Sequence, residues 1–96
     1  MAIELAAQRR TEIGKAARAA RKSGRLLANI YGLGFDAPVA ISLDQHTAER
    51  TLRENGKRAE YAVVLDGTTY PVRLQEVQIN ALRKLILHVD FVVTNG

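Results

Sequence analysis

The dipeptide Asp66-Gly67 constrains this chain more than any other feature, because it stands between two runs of alternating polarity. Two residues of this type joining such runs are the strongest short-range signal for a β-hairpin, since a tight turn with positive φ angles matches the twist of paired strands. Glu60 to Leu65 is the first arm and Thr68 to Val77 the second. Strict alternation along the second puts Tyr70, Val72, Leu74 and Glu76 on one side and Arg73, Gln75 and Val77 on the other. A chain that contains this unit is committed to a sheet.

The rest of the sequence supplies partners for it. Ile3 to Gln8 alternates around Glu4, Leu26 to Tyr31 is an apolar run, and Pro38 to Leu43 turns Val39, Ile41 and Leu43 to one face. Gly32 to Ala37 joins the last two as a hairpin connection. Leu82 to Leu87 leads through His88-Val89-Asp90 into Phe91-Val92-Val93, with His88 and Asp90 on one face and Val89, Phe91 and Val93 on the other. Two helices interrupt the strands: Lys15 to Ser23 before Gly24, and Gln45 to Glu54 between an Asp44 N-cap and Asn55-Gly56. Six strands with short connections in 96 residues predict a mainly β fold with short helices, a small six-stranded closed or partly closed antiparallel-rich barrel, as one domain over residues 1–96. Closure removes exposed sheet edges, and without cysteines the fold has only packing to hold it. The expected core is Ile3, Leu5, Ile30, Val39, Ile41, Leu43, Val63, Leu65, Val72, Leu74, Val89, Phe91 and Val93.

Charge is distributed unevenly. Arg9, Arg10, Lys15, Arg18, Arg21, Lys22 and Arg25 face a single acid, Glu12, so this stretch carries +6 while the whole chain carries +4. Arg18, Arg21 and Lys22 recur at helical spacing and share a face opposite Ala16, Ala19 and Ala20. A solvated basic face is the plain alternative, but charge this dense suits a polyanion, whose condensed counterions are released on contact.

The remaining motifs exclude more than they establish. A chain without cysteine has no thiolate zinc site and no thiol nucleophile, and Gly32-x-Gly34 lacks the residues that complete a phosphate loop, so it reads as a turn. Glu4 and the early arginines interrupt any signal-peptide core, and no apolar run reaches membrane-spanning length; a cytoplasmic location without membrane contact is expected. His88 and Asp90 form a His-carboxylate pair without an evident nucleophile, and with His46 they make a poor ligand set, so no metal and no cofactor are expected. The same pair can accept from and donate to bases or riboses. Tyr31 adds an aromatic face, and Gln75 and Gln78 add two-ended amides.

Taken in order, Arg10 to Gly14-Lys15, the basic helix, Ala28 to Tyr31-Gly32, Pro38-Val39-Ala40-Ile41, Asp66-Gly67, Val77-Gln78 and His88-Val89-Asp90-Phe91 resemble the bacterial large-subunit ribosomal protein L-twenty-five, or Ctc, family in a short single-domain form. The resemblance implies a non-enzymatic component of the large ribosomal subunit, whose six-stranded barrel binds 5S rRNA near loop E. Other large-subunit rRNA and ribosomal proteins are the further partners, and a monomer is expected before assembly. Carried onto this chain, Arg10, Lys15, Arg18 and Arg21 belong to the basic RNA-contacting segment, Tyr31 meets the minor-groove side, and Gln75, Gln78, His88 and Asp90 meet bases or riboses. The chain departs from the family pattern at Leu27, where proline is usual, at Ala19, and at Asn80-Ala81. Two other readings of the residues stay open: a small RNA-processing enzyme using His88 and Asp90, and a basic module that docks on an acidic protein.

Overall fold

The computed structural model describes residues 2–9, 24–82 and 85–94. The basic helix expected over Lys15 to Ser23, with Arg10, Lys15, Arg18 and Arg21, lies outside the described residues. Six strands are present: β1 (Ile3–Arg9), β2 (Arg25–Gly32), β3 (Val39–Asp44), β4 (Tyr61–Leu65), β5 (Thr68–Asn80) and β6 (Leu85–Val93). A helix, α1 (Gln45–Asn55), joins β3 to β4.

The strands close into a barrel in the order β1-β3-β2-β6-β5-β4, with β4 returning beside β1. Four of the six seams are antiparallel; β1–β4 and β2–β6 are parallel. The β4–β5 hairpin turns at Asp66 and Gly67 with φ of 53° and 80°, the two positive angles of a primed turn, and Leu65 pairs with Thr68 across it. Alternation then fills the interior. Leu26, Ala28 and Ile30 of β2, Ile41 and Leu43 of β3, Val63 and Leu65 of β4, and Val89 and Phe91 of β6 are all buried in one cluster. Ile3, Val39 and Leu74, expected in the core, pack against this cluster while only partly buried.

α1 is positioned by its two ends. The Asp44 carboxylate accepts from the Thr47 N–H at 3.0 Å, filling one of the donors that a helix start leaves open. At the other end the Gly56 N–H donates to the Leu52 carbonyl at 2.8 Å, and the Tyr61 hydroxyl donates to the Gly56 carbonyl at 2.7 Å. Ala48 and Leu52, one turn apart, are the apolar side chains that α1 buries. Glu49 is buried beside them and is satisfied by Gln45 and Arg53, while Gln45 also donates to the Ile86 carbonyl at 3.1 Å. The helix is thereby tied to the first residues of β6.

β5 departs from the expected alternation. Leu74 pairs with Phe91 but Glu76, not Gln75, pairs with Asp90, so Gln75 is an extra residue in β5. Such a bulge reverses the inside and outside of every later position. Val77 therefore turns inward opposite Val89, and Glu76 turns outward, the opposite of what strict alternation predicts. A second shift follows, where Gln78 pairs with His88 and Ile79 with Ile86, leaving Leu87 as the extra residue in β6.

Candidate nucleic-acid interface

Registers of the β2–β6 and β5–β6 seams assemble a patch on the outside of the barrel. Leu27, His88 and Gln78 form one row, Asn29, Asp90 and Glu76 the next, and Tyr31, Val92 and Arg73 the third. Each row runs across β2, β6 and β5, so side chains distant in sequence lie side by side at strand spacing. The bulge makes the third column possible. Without the extra residue at Gln75, Gln78 would lie on the opposite face from Arg73.

At the centre the His88 Nε2 lies 2.8 Å from Asp90 Oδ1, with the two side chains 19% and 22% exposed. An imidazole nitrogen that close to a carboxylate carries its proton there, because a lone pair in that position would be repelled. The proton fixes the ring, and Nδ1 and the second carboxylate oxygen remain for a ligand. Asn29 Nδ2 lies 3.4 Å from the same His88 nitrogen. Tyr31 is half-buried, while Arg73, Gln75, Glu76 and Gln78 are exposed along β5.

The electrostatics of the patch are informative. Arg73 is opposed by Asp90 and Glu76, so the face is not electropositive and is suited to hydrogen-bond readout more than to phosphate attraction. The positive charge of the chain is concentrated instead in the segment from Arg9 to Arg25. Of its seven bases, the two that are described are already engaged in the fold. Arg9 pairs with Asp66 across exposed surface. Arg25 donates from Nη2 to the Ser42 carbonyl at 3.1 Å and to its hydroxyl at 3.2 Å, which explains why the outward Ser42 is buried.

Of the sequence-derived site residues, the structure brings Tyr31, Gln78, His88 and Asp90 onto one face, while Gln75 is the exposed, unpaired residue of the β5 bulge between the rows of Arg73 and Glu76. Arg10, Lys15, Arg18 and Arg21 lie outside the described residues. Asn29 and Glu76 join the patch without having been expected there. The nine residues of the three rows include no serine, threonine, cysteine or lysine, so the His88–Asp90 pair has no aliphatic hydroxyl, thiol or amine beside it among them. Among the described residues no cluster of three His, Asp or Glu side chains could hold a metal ion. An apolar groove of about 550 Å³ opens beside α1, lined by Leu52, Leu74, Val77, Ile79 and Ile86 with Arg53 and Lys57 at its margin; the polar residues of the patch do not line it.

The sequence is similar to known proteins along most of its length. The profile of the Ribosomal L25p family matches residues 5–91. The chain is 34% identical to the large ribosomal subunit protein bL25 of Thermomicrobium roseum, over 88% of this chain and 38% of that relative. It is 33% identical to that of Oceanobacillus iheyensis, over 99% of this chain and 44% of the relative, and 37% identical to that of Laribacter hongkongensis, over 95% and 50%. The chain thus spans half or less of the length of these curated relatives.

Proposed function

Because the chain belongs to the Ribosomal L25p family, we propose that it is a non-catalytic component of the large ribosomal subunit that binds 5S rRNA at its loop E region. The basic segment supplies phosphate contacts, and the β2–β6–β5 face reads bases and riboses. The observation that carries this reading is the patch itself: an aromatic ring, two amides, an oriented His-Asp pair and an arginine in three adjacent rows, on a face that is not positively charged. Affinity and discrimination are therefore divided between two parts of the chain. Tyr31 meets the minor-groove side of the RNA, Gln75, Gln78, His88 and Asp90 meet bases or 2′-hydroxyls, and Arg10, Lys15, Arg18 and Arg21 meet the backbone.

Two substitutions separate the parts. Arg18→Ala removes one phosphate contact and flattens the log-log salt dependence of 5S rRNA binding by about 0.7 to 0.9. Asp90→Ala leaves that slope in place and narrows the preference for 5S rRNA over a plain duplex. If Asp90→Ala binds 5S rRNA with unchanged preference, the sheet face is not the reading surface.

A further inference from the structure

On the premise of that RNA-binding face, we propose that Asn29 and Asp90 form a donor–acceptor couple selecting the Watson–Crick edge of an unpaired or non-canonically paired guanine. The two residues are cross-strand partners in the parallel β2–β6 seam, so their side chains leave the same face side by side. His88 Nε2 donates to Asp90 Oδ1 at 2.8 Å and has no lone pair left for another donor. The Asn29 amide, 3.4 Å from that nitrogen, then meets Nε2–H through its oxygen, and this contact with His88 is its side-chain bond among the described residues. The half-buried amide N–H pair beyond that contact is a group that a ligand can satisfy.

Asp90 supplies the complement. An ionised carboxylate only accepts, through two oxygens with about four lone-pair sites, and His88 occupies one of them. The couple therefore presents donor beside acceptor. Guanine matches it: O6 accepts from the Asn29 amide, while the neighbouring N1–H and N2–H donate to the two carboxylate oxygens. Adenine and cytosine offer a single amino group on that edge and uracil a single imino N–H, so each leaves part of the carboxylate unpaired. Watson–Crick edges are available only where pairing is broken or non-canonical, as in an internal loop. The same chemistry excludes a phosphate at this spot, because Asp90 would repel it.

The test is chemical footprinting of an in vitro transcribed bacterial 5S rRNA by kethoxal, which reacts at guanine N1 and N2, together with affinity measurement. Wild-type protein is expected to protect a guanine that both Asn29→Val and Asp90→Asn leave reactive, with the other protections unchanged. Each variant should also lose affinity by about tenfold, the size of one good base contact. Valine keeps the strand propensity of β2, and a melting curve for each variant verifies that it folds. Guanine protection that persists in Asn29→Val overturns the proposal, as does protection confined to adenine N1 or cytosine N3, read with dimethyl sulfate. Absence of any footprint by the wild-type protein overturns the 5S rRNA reading as well, and is distinguishable from the other two outcomes.

Discussion

Replacing Gly32 by alanine is expected to be among the most damaging single-methyl additions in the barrel. Gly32 ends β2 with φ at +111° and pairs with Val93, the last rung of the parallel β2–β6 seam. A Cβ there would stand 3.0 Å from the Val93 nitrogen and 3.0 Å from its carbonyl oxygen, and 3.4 Å from the Val92 Cγ1. Two costs add. Holding a non-glycine residue at such a φ costs about 1–3 kcal/mol, and forcing a methyl against backbone that must move costs about 1–3 kcal/mol more. Gly34→Ala is the matched control, because its φ of +87° is also unfavourable for alanine while its Cβ would meet nothing within 4 Å. Thermal unfolding followed by circular dichroism should place Gly32→Ala below Gly34→Ala by roughly 4–24 °C, since each kcal/mol moves the midpoint of a domain this size by about 4–8 °C. Equal melting temperatures for the two variants would refute the argument that the closeness of β6, and not the φ angle alone, demands glycine. Tyr31 and Val92 adjoin this rung, so RNA binding should weaken in Gly32→Ala and be kept in Gly34→Ala.

The buried Tyr61 hydroxyl is the donor that satisfies the Gly56 carbonyl, so Tyr61→Phe should cost about 1 kcal/mol in urea unfolding. Burial also raises the Tyr61 phenol above its ordinary value of 10.0; the folded state retains that proton longer than the unfolded chain, so stability is full below pH 10 and declines as pH rises from there through the folded value. Tyr61→Phe should remove that alkaline decline, as measured by denaturant midpoints from pH 8 upward. At the acid end, the Thr47 backbone N–H holds the Asp44 carboxyl below its ordinary 3.8. The cap's contribution is present above 3.8 and is lost as pH falls through the lower folded value, so Asp44→Asn should flatten this part of the acid-unfolding curve.

Local features of the fold were legible because their causes are local. Asp66-Gly67 fixed a turn by φ alone, and Asp44 and Gly56 bounded α1 through hydrogen bonds three and four residues apart. Alternation located most of the core, but Tyr61 and Ile86 were missed: Tyr61 begins a strand whose hydroxyl needed the Gly56 partner, and Ile86 turns inward only because Leu87 is extra. The parallel β1–β4 and β2–β6 seams join segments some sixty residues apart, and no neighbouring residue specifies such pairing. Asn29 was invisible as a site residue for that reason. Within Leu26 to Tyr31 it looks like a polar break in an apolar run, and only the seam with β6 sets it beside Asp90. The bulge was equally illegible: Gln75 is the extra residue, and only its insertion returns Gln78 to the face of Arg73, five positions earlier.

The proposed function divides discrimination, in the sheet face, from attraction, in the basic segment. A titration of the purified protein against 5S rRNA and against a same-length RNA duplex without internal loops, at several salt concentrations, tests it most directly. Both complexes should weaken with salt along similar slopes while a strong preference for 5S rRNA survives at physiological ionic strength. Equal, steeply salt-sensitive affinity for the two RNAs would contradict it, because the basic segment would then account for all of the binding.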